Sequence, residues 1–419
     1  MNDAFRLRAP GGPLAALFAL AALASGCDKS SPLAPRVPVS AVVVSPAVDT
    51  VGVGGAAQFT AVVYDTSGNP TSGAAVRWTS GDTGIFTVNS LGRVQGVGEG
   101  TAPLFAEAGS QRDTASVTVL PGGGWFVQAS ATPADLHGVF FRPDGRSGWA
   151  VGEAGVVVRT TDAGVTWARQ TSSTSFTLHG VWFTSATEGW AVGTSGTVLR
   201  TTNAGVTWTR LLNVGQGESL MDVHFATPDT GWVVGASGLI LRTFDRGASW
   251  QAFRLPTAFV LHGVAFAGTR DGWTVGAGGV IAGTHDRGVT WFTVPSITTQ
   301  SLKAVWRHSS EGAFAAGAQG VTPRTVVTPD SVAWELRNAG AMRQLEGVHY
   351  PTDAIGYAVG FDASLGGAVL RTDDGGLTWE AQPSQTAFRL NDVFFVDVLR
   401  GWAVGQGGTI VHTGRGGKP

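Results

Sequence analysis

The chain has 419 residues, a formal net charge of −2 and 14% charged residues, against roughly 25% in an average globular protein. A charge this close to neutral gives no basic surface of the kind that nucleic-acid binding requires, and the lone cysteine, Cys27, has no partner for a disulfide bond. The 61 glycines and many β-branched residues favour an all-β chain rich in tight turns.

The first 26 residues have the pattern of an export signal. Arg6 and Arg8 give a positive start, and the apolar run 14–23 is too short for a stable transmembrane helix. The segment 23–27, Leu-Ala-Ser-Gly-Cys, resembles the lipobox of bacterial lipoproteins, which implies that Cys27 is acylated and becomes the mature N-terminus. The alternative is an ordinary secretory signal that contains a cysteine by chance.

The next segments change in composition twice. Residues 27–38 predict a disordered tether, because they carry three prolines and no periodicity. Residues 39–120 consist of short runs in which apolar and polar residues alternate, separated by Gly-rich turns. About seven such strands in roughly 80 residues predict an immunoglobulin-like β-sandwich. A glycine-rich hinge at 121–124 then precedes the rest of the chain.

Motifs within segment 76–102 indicate the kind of sandwich. They are Trp78 with Ser80, Thr87 with Val88, Gly92 with Val94, and Gly100 with Ala102. This succession of W-x-S, T-V, G-x-V and G-x-A resembles the bacterial Ig-like domain of group 2. Such modules act mostly as spacers or adhesive stalks in bacteria, so the resemblance implies a structural role for this domain.

Residues 125–419 are built from a unit that recurs seven times. The copies open at Leu136, Leu178, Leu220, Leu261, Leu302, Leu345 and Leu390, at intervals of 41 to 45 residues. Each copy has an aromatic residue twelve or thirteen positions after its leucine and a glycine three positions after that aromatic. A period in the low forties, made of short apolar runs and Gly-rich turns, predicts a seven-bladed β-propeller with four strands in each blade.

The start of the propeller is predicted to complete its last blade. Trp125 stands eleven residues before Leu136, as Trp167 stands before Leu178, so it marks the fourth strand of a blade whose other strands are missing. Residues 390–413 supply three strands at the other end of the chain. Sharing one blade between the two ends removes two exposed sheet edges.

A turn motif, T-x-D-x-G-x-T-W, separates the third and fourth strands of most copies. Its acid is Asp162, Asp245, Asp286 or Asp374, and Asn203 replaces it in the second copy. The motif resembles the Asp-box, in which the carboxylate and hydroxyls bond turn amides and the Trp packs between strands. One turn per blade scatters these acids around the ring, which favours a structural role over catalysis or metal binding.

The full repeat, G-W-A-V-G followed by G-x-V-x-R-T-x-D-x-G-x-T-W, resembles the photosystem II assembly-factor family of seven-bladed propellers over residues 125–417. The resemblance implies a non-catalytic binding or assembly scaffold with a basic rim made by the recurring arginine. Its members here are Arg159, Arg200, Arg242, Arg324 and Arg371. The alternative is that each guanidinium stacks on a blade Trp and bonds loop carbonyls.

Sialidases and glycosidases also use such propellers. The nearest string to the sialidase Arg-Ile-Pro motif, segment 253–256, lies between the third and fourth copies instead of at the start. Asp222 and Asp392 share a position in their copies but belong to blades on opposite sides of the ring, whereas a glycosidase needs two carboxylates about 5 to 10 Å apart. We therefore expect no catalytic residue, cofactor or metal, with a glycan hydrolase as the alternative.

The residue after each opening leucine is predicted to lie at the mouth of the central channel, where the blade-to-blade loops converge. These residues are His137, His179, Met221, His262, Lys303, Glu346 and Asn391. Three loops add an aromatic residue two positions before the leucine: Phe176, Phe259 and Phe388. We predict a polar, aromatic-rimmed contact surface with mild pH sensitivity from its histidines. A solvated rim without a partner is the alternative.

The sequence as a whole predicts an exported, monomeric protein that is attached to a membrane only through a lipid anchor. We expect it to bind a protein or glycan at the cell envelope and not to bind nucleic acid. A purely structural envelope protein with no discrete ligand is a further alternative.

Overall fold

The computed structural model describes residues 38–53, 56–71, 74–120, 124–211, 214, 217–309, 312–327, 332–340, 343–364 and 366–418. The predicted signal peptide, Cys27, the tether up to residue 37 and residues 121–123 of the hinge lie outside the described residues. Regular structure in the described residues is β-strand and short 3-10 turns, as the composition predicts. No helical segment among them has the length and apolarity needed to cross a bilayer.

Residues 39–120 form a β-sandwich, which confirms the prediction of an immunoglobulin-like domain. Its strands are β1 (Val39–Ser45), β2 (Val48–Gly52), β3 (Ala56–Gln58), β4 (Thr60–Asp65), β5 (Pro70–Thr71), β6 (Arg77–Ser80), β7 (Phe86–Val88), β8 (Arg93–Gly96), β9 (Gly100–Ala108) and β10 (Gln111–Leu120). They pair in the orders β1-β4-β5, β2-β10-β9-β6 and β3-β8-β7. The ten strands exceed the predicted seven or so because several are only two to five residues long.

The alternation of apolar and polar residues places every second side chain of a strand in the core of the sandwich. In β9 every second residue from Ala102 to Ala108 is buried. These side chains meet Phe59, Phe86 and Val117, which are fully buried.

Seven four-stranded antiparallel sheets follow, so the predicted propeller is confirmed. Blade one comprises β12 (Leu136–Phe141), β13 (Gly148–Gly152), β14 (Val157–Thr160) and β15 (Ala168–Gln170). Blade two comprises β16 (Leu178–Phe183), β17 (Gly189–Gly193), β18 (Thr197–Thr201) and β19 (Thr209–Leu211). Blade three comprises β20 (Leu220–Phe225), β21 (Gly231–Gly235), β22 (Leu239–Thr243) and β23 (Gln251–Arg254).

The remaining blades have the same order from the axis outward. Blade four comprises β24 (Leu261–Ala267), β25 (Asp271–Gly276), β26 (Ile281–Thr284) and β27 (Phe292–Thr293). Blade five comprises β28 (Leu302–Trp306), β29 (Phe314–Gly317), β30 (Arg324–Val327) and β31 (Val332–Glu335). Blade six comprises β32 (Arg343–His349), β33 (Gly356–Asp362), β34 (Gly366–Thr372) and β35 (Glu380–Gln382). Blade seven comprises β36 (Leu390–Phe395), β37 (Gly401–Gly405), β38 (Ile410–Thr413) and β11 (Phe126–Gln128). The 3-10 turns are Glu153–Gly155, Ala236–Gly238, Ala277–Gly279, Ala318–Gly320 and Gln406–Gly408, each between a second and a third strand.

The shared blade is confirmed. β11 pairs with β38, with Phe126 opposite His412. Trp125, 1% exposed, packs edge-on against Phe395 at a centroid distance of 5.8 Å, and its Nε1 donates to Gln382 Oε1 at 2.9 Å. The N-terminal strand therefore fills the place that the fourth strand takes in the other blades.

Neighbouring blades are joined by stacked aromatic rings. The second-strand Trp149 of blade one lies on Phe183 of blade two at 3.6 Å and 14°, and Trp402 of blade seven lies in the same way on Phe141 of blade one. The glycine before the aromatic makes room for the ring that ends the inner strand: a Cβ on Gly189 would lie 2.6 Å from Phe183. The G-W pair of the repeat is thus a packing requirement.

Candidate binding site in the central channel

The seven residues predicted at the channel mouth line one cavity on the propeller axis. All seven are half-buried, and the rings of His137 and His179 lie 5.3 Å apart. The predicted aromatic rim does not line this cavity. Phe176, Phe259 and Phe388 are 37%, 51% and 52% exposed on the loops that precede the inner strands.

A layer of large side chains closes the channel below the mouth. It is formed by the fifth residue of each inner strand, counted from the opening leucine: Phe140, Trp182, His224, Ala265, Trp306, His349 and Phe394. Ring contacts run around this layer, with Phe140 4.9 Å from Phe394, and across it, with Trp182 6.3 Å from Trp306. The channel is therefore a cup that opens at the mouth and has an aromatic floor, with a volume of about 220 Å³.

Two carboxylates stand in the wall of the cup. The third residue of the inner strand is Gly or Ala in five blades but Asp222 in blade three and Asp392 in blade seven. Because their blades lie across the ring from each other, the sequence predicts that the two acids are far apart; in the structure, however, both line the same cavity. Blades that are far apart in the sequence still place side chains in the same narrow channel.

Each of these aspartates joins two blades. Asp222 Oδ2 accepts from the Val264 amide of blade four at 2.9 Å, and its Oδ1 accepts from its own neighbour Val223 at 2.8 Å. Burial raises the pKa of Asp222 to about 6, against the lowering effect of these two bonds. Burial likewise raises the pKa of Asp392 to about 7, and the charge of Asp222 adds to the rise.

The mouth histidines are neutral at physiological pH. Burial, followed by the neighbouring His137, lowers the pKa of His179 to about 4. Burial also lowers the pKa of His262 to about 4, assisted by the charges of Lys303 and His179. These two histidines gain charge only in acid, so they do not supply the pH sensitivity near neutrality that the sequence predicts for them. The cup residues whose pKa values lie near neutrality are the two aspartates of the wall.

The predicted basic rim lies towards the opposite face. Each arginine lies opposite the aromatic residue near the start of the second strand, as Arg200 lies opposite Trp190, and the second strand begins at the face away from the mouth. Arg200 pairs with Glu188 of its own blade. Arg371 bonds Asp373 of its own blade and the Gly416 carbonyl of blade seven. These contacts hold both guanidiniums against propeller residues.

The acidic turns also lie on that face, and their carboxylates bond within their own turns. Asp162 accepts from the Thr166 amide at 2.9 Å and from its hydroxyl at 2.6 Å. Thr160 donates to Asp162 at 2.7 Å and accepts from the Gly164 amide at 2.8 Å. In the described residues no group of three or more His, Cys, Asp or Glu side chains is placed to hold a metal ion.

The fold and the cup define the molecule as a seven-bladed β-propeller that carries an immunoglobulin-like domain at its N-terminal side. Residues 124–216 and 211–302 match the family model described as Photosynthesis system II assembly factor YCF48, and residues 38–119 match the Bacterial Ig-like domain (group 2). The family models therefore confirm both resemblances found in the sequence, a group 2 Ig-like domain at residues 38–119 and photosystem II assembly-factor repeats at residues 124–302.

Solved structures share the propeller. YCF48 bound to a D1 peptide is 22% identical, with a TM-score of 0.58, over 69% of this chain and 94% of that chain. YCF48 from Cyanidioschyzon merolae gives the same identity, TM-score and share of this chain, over 98% of its own. Virginiamycin B lyase from Staphylococcus aureus is 12% identical, with a TM-score of 0.58, over 69% of this chain and 98% of that chain. These identities show the fold alone. No curated protein matches the chain.

Proposed function

We propose that this protein is a non-catalytic scaffold, exported and lipid-anchored through Cys27, whose propeller binds a protein partner at the cell envelope. The observation that carries the proposal is the cup: the seven inner strands converge on one cavity with a polar mouth and a closed floor. A pocket of this kind at the end of a propeller axis is where ligands dock. The YCF48 structure with a bound D1 peptide supports a protein partner, and the Ig-like domain supports an extracellular position.

The binding surface comprises the mouth and the loops around it. Phe176, Phe259 and Phe388 are held by the same local turn, in which the threonine two positions earlier accepts from the Phe amide at 3.1 to 3.2 Å. Each turn keeps a large apolar side chain in solvent. Aromatic side chains are enriched at protein interfaces relative to the rest of a protein surface.

One observation favours a second candidate, a glycan hydrolase. Asp222 and Asp392 face the same cavity and have pKa values of about 6 and 7, in the range that a general acid uses. Both oxygens of each carboxylate, however, accept backbone amides. Release of reducing sugar from cell-wall or exopolysaccharide fractions, abolished by Asp392→Asn, would establish the hydrolase in place of the scaffold.

A comparison of the two propeller faces tests the proposal. The full chain, purified in detergent, is used to capture partners from solubilised envelopes, and each captured protein is then purified and its affinity measured by calorimetry. We expect His179→Ala with Phe176→Ala to weaken binding at least about tenfold, which corresponds to 1.4 kcal/mol. The matched pair Arg200→Ala with Arg242→Ala should leave it unchanged. Loss of binding in the arginine pair alone would place the site on the opposite face and overturn this assignment.

A further inference from the structure

We propose that the cup binds a primary ammonium group, presented by a lysine side chain of the partner protein. This inference rests on the proposed function and states which chemical group of the partner enters the cavity. The volume of about 220 Å³ admits one extended side chain and excludes a folded segment. Because the floor is closed by the aromatic layer, the group enters through the mouth only.

The charges of the cup favour a cation. Among the residues that line it, Asp222, Asp392 and Glu346 are acidic and Lys303 is basic. The histidines contribute no positive charge at neutral pH, because burial lowers the pKa of each. Glu346 pairs with Arg389 at the mouth, at 3.9 Å. In the wall, a pKa of about 6 leaves Asp222 mostly ionised at neutral pH and a pKa of about 7 leaves Asp392 partly ionised, so the wall presents negative charge to the interior of the cup.

The wall carboxylates retain the capacity to bind a ligand. Each aspartate accepts two backbone amides, whereas an ionised carboxylate has about four acceptor positions. Both residues are half-buried and line the cavity. Because one amide already bonds each oxygen, bidentate pairing with a planar guanidinium would need both remaining positions of one carboxylate at once. An ammonium group, with three donors in different directions, is able to contact separate acceptors.

The floor supplies a second, independent indication. Trp182, Trp306 and Phe394 line the cup, and the rings of Trp182 and Trp306 lie 6.3 Å apart across its floor. The faces of aromatic rings attract a cation. His349 packs 3.9 Å from Trp306 and is not among the residues that line the cup.

The experiment uses the purified full chain and four probes. The lysine probe is Nα-acetyl-lysine amide, and the other probes are its Nε-acetylated form, Nα-acetyl-arginine amide and n-butylammonium. Binding is followed by calorimetry and by the fluorescence of the floor tryptophans. We expect the lysine probe and n-butylammonium to bind with dissociation constants of about 1 mM. The Nε-acetylated and arginine probes should bind at least about tenfold more weakly.

Three variants locate the bound ammonium group. Asp222→Asn and Asp392→Asn should each weaken the lysine probe at least about tenfold. Ala304→Leu keeps both acids and fills the cup, so it should abolish binding. If an aspartate variant does not fold, Ala304→Leu alone tests whether the lysine probe binds in the cup. The control is Asp162→Asn, which removes one charge at the opposite face and reproduces the residue that blade two has naturally at Asn203.

Several results would overturn the inference. These are the absence of saturable binding by the lysine probe, equal binding of its Nε-acetylated form, and full binding by folded Ala304→Leu. If n-butylammonium binds but the lysine probe does not, the cup binds a free amine and not a lysine side chain of a partner protein. If the probes fail while the mouth variants still abolish binding of a captured partner, only the cup assignment is wrong. If the arginine pair alone abolishes that binding, the proposed function itself fails.

Discussion

The carboxylate of Asp392, on the inner strand of blade seven, accepts the backbone amide of Val139 in blade one at 2.9 Å. The preceding residue makes a second bond across the same junction, from Asn391 Nδ2 to the Leu136 carbonyl at 2.8 Å. The ring is thus closed twice, by these side chains near the axis and by the pairing of β11 with β38 at the periphery.

We expect Asp392→Ala to lower the free energy of unfolding by about 2 kcal/mol, because it leaves two buried amides without an acceptor. Asp222→Ala should cost about as much, since Asp222 makes the same two bonds between blades three and four. The control is Asp162→Asn, which keeps the shape of the side chain and should change stability little. Denaturant titration measures all three, and unchanged stability of Asp392→Ala would show that the junction does not depend on the carboxylate.

Because the N-terminal strand completes blade seven, we expect Trp125 and Val127 to contribute very differently to the stability of the protein. Trp125 is buried and contacts Phe395 and Tyr357, whereas Val127 is 60% exposed. Trp125→Ala should lower the free energy of unfolding by about 3 to 5 kcal/mol, and Val127→Ala by well under 1 kcal/mol. Calorimetric melting of both variants checks this. Equal melting temperatures would mean that blade seven is stable without its outer strand.

The lipid anchor is tested by Cys27→Ser in cells. We expect wild-type protein to incorporate labelled palmitate and to sediment with membranes, since acyl chains hold a protein at the bilayer. The variant should lose the label and pass to the soluble exported fraction, whereas Ser31→Ala, four residues away, should behave as wild type. A Cys27→Ser protein that still sediments fully with membranes would disprove acylation as the means of attachment.

The fold was predictable because the length and the residue pattern of the repeat are those of one propeller blade. The interval between leucines predicts the blade, and Trp125 predicts the shared strand. The aspartate pair was not predicted, because side chains that meet on a common axis come from blades far apart in sequence, as Trp182 of blade two meets Trp306 of blade five. A signal was present: Asp222 and Asp392 replace Gly or Ala at the third position of the inner strand.

The buried titratable groups predict that the protein is more stable at neutral pH than in acid. Burial lowers the pKa of several histidines to about 3 or 4: His179, His224, His262, His349 and His412. Their neutral forms belong to the folded state, so the stability they contribute is present above about pH 6.5, their usual pKa, and is lost as the pH falls towards 4. The two wall aspartates act in the opposite sense. Their raised pKa values mean that the stability of their protonated forms is lost as the pH rises through about 6 to 7.

We therefore expect the melting temperature to rise from pH 4 to about pH 7 and to change little from there to pH 8, because the five histidines gain more stability over this range than the two aspartates lose. His349→Phe should reduce the difference between the melting temperatures at pH 5 and pH 7, since it removes one buried histidine from a layer in which Phe140 and Phe394 hold the same position. Asp392→Asn should enlarge the difference between the melting temperatures at pH 5 and pH 7, because it removes a group whose contribution to stability falls over that range. Scanning calorimetry at fixed ionic strength measures these differences, and a difference as large in His349→Phe as in wild type would show that the pKa of this histidine is not lowered in the folded protein.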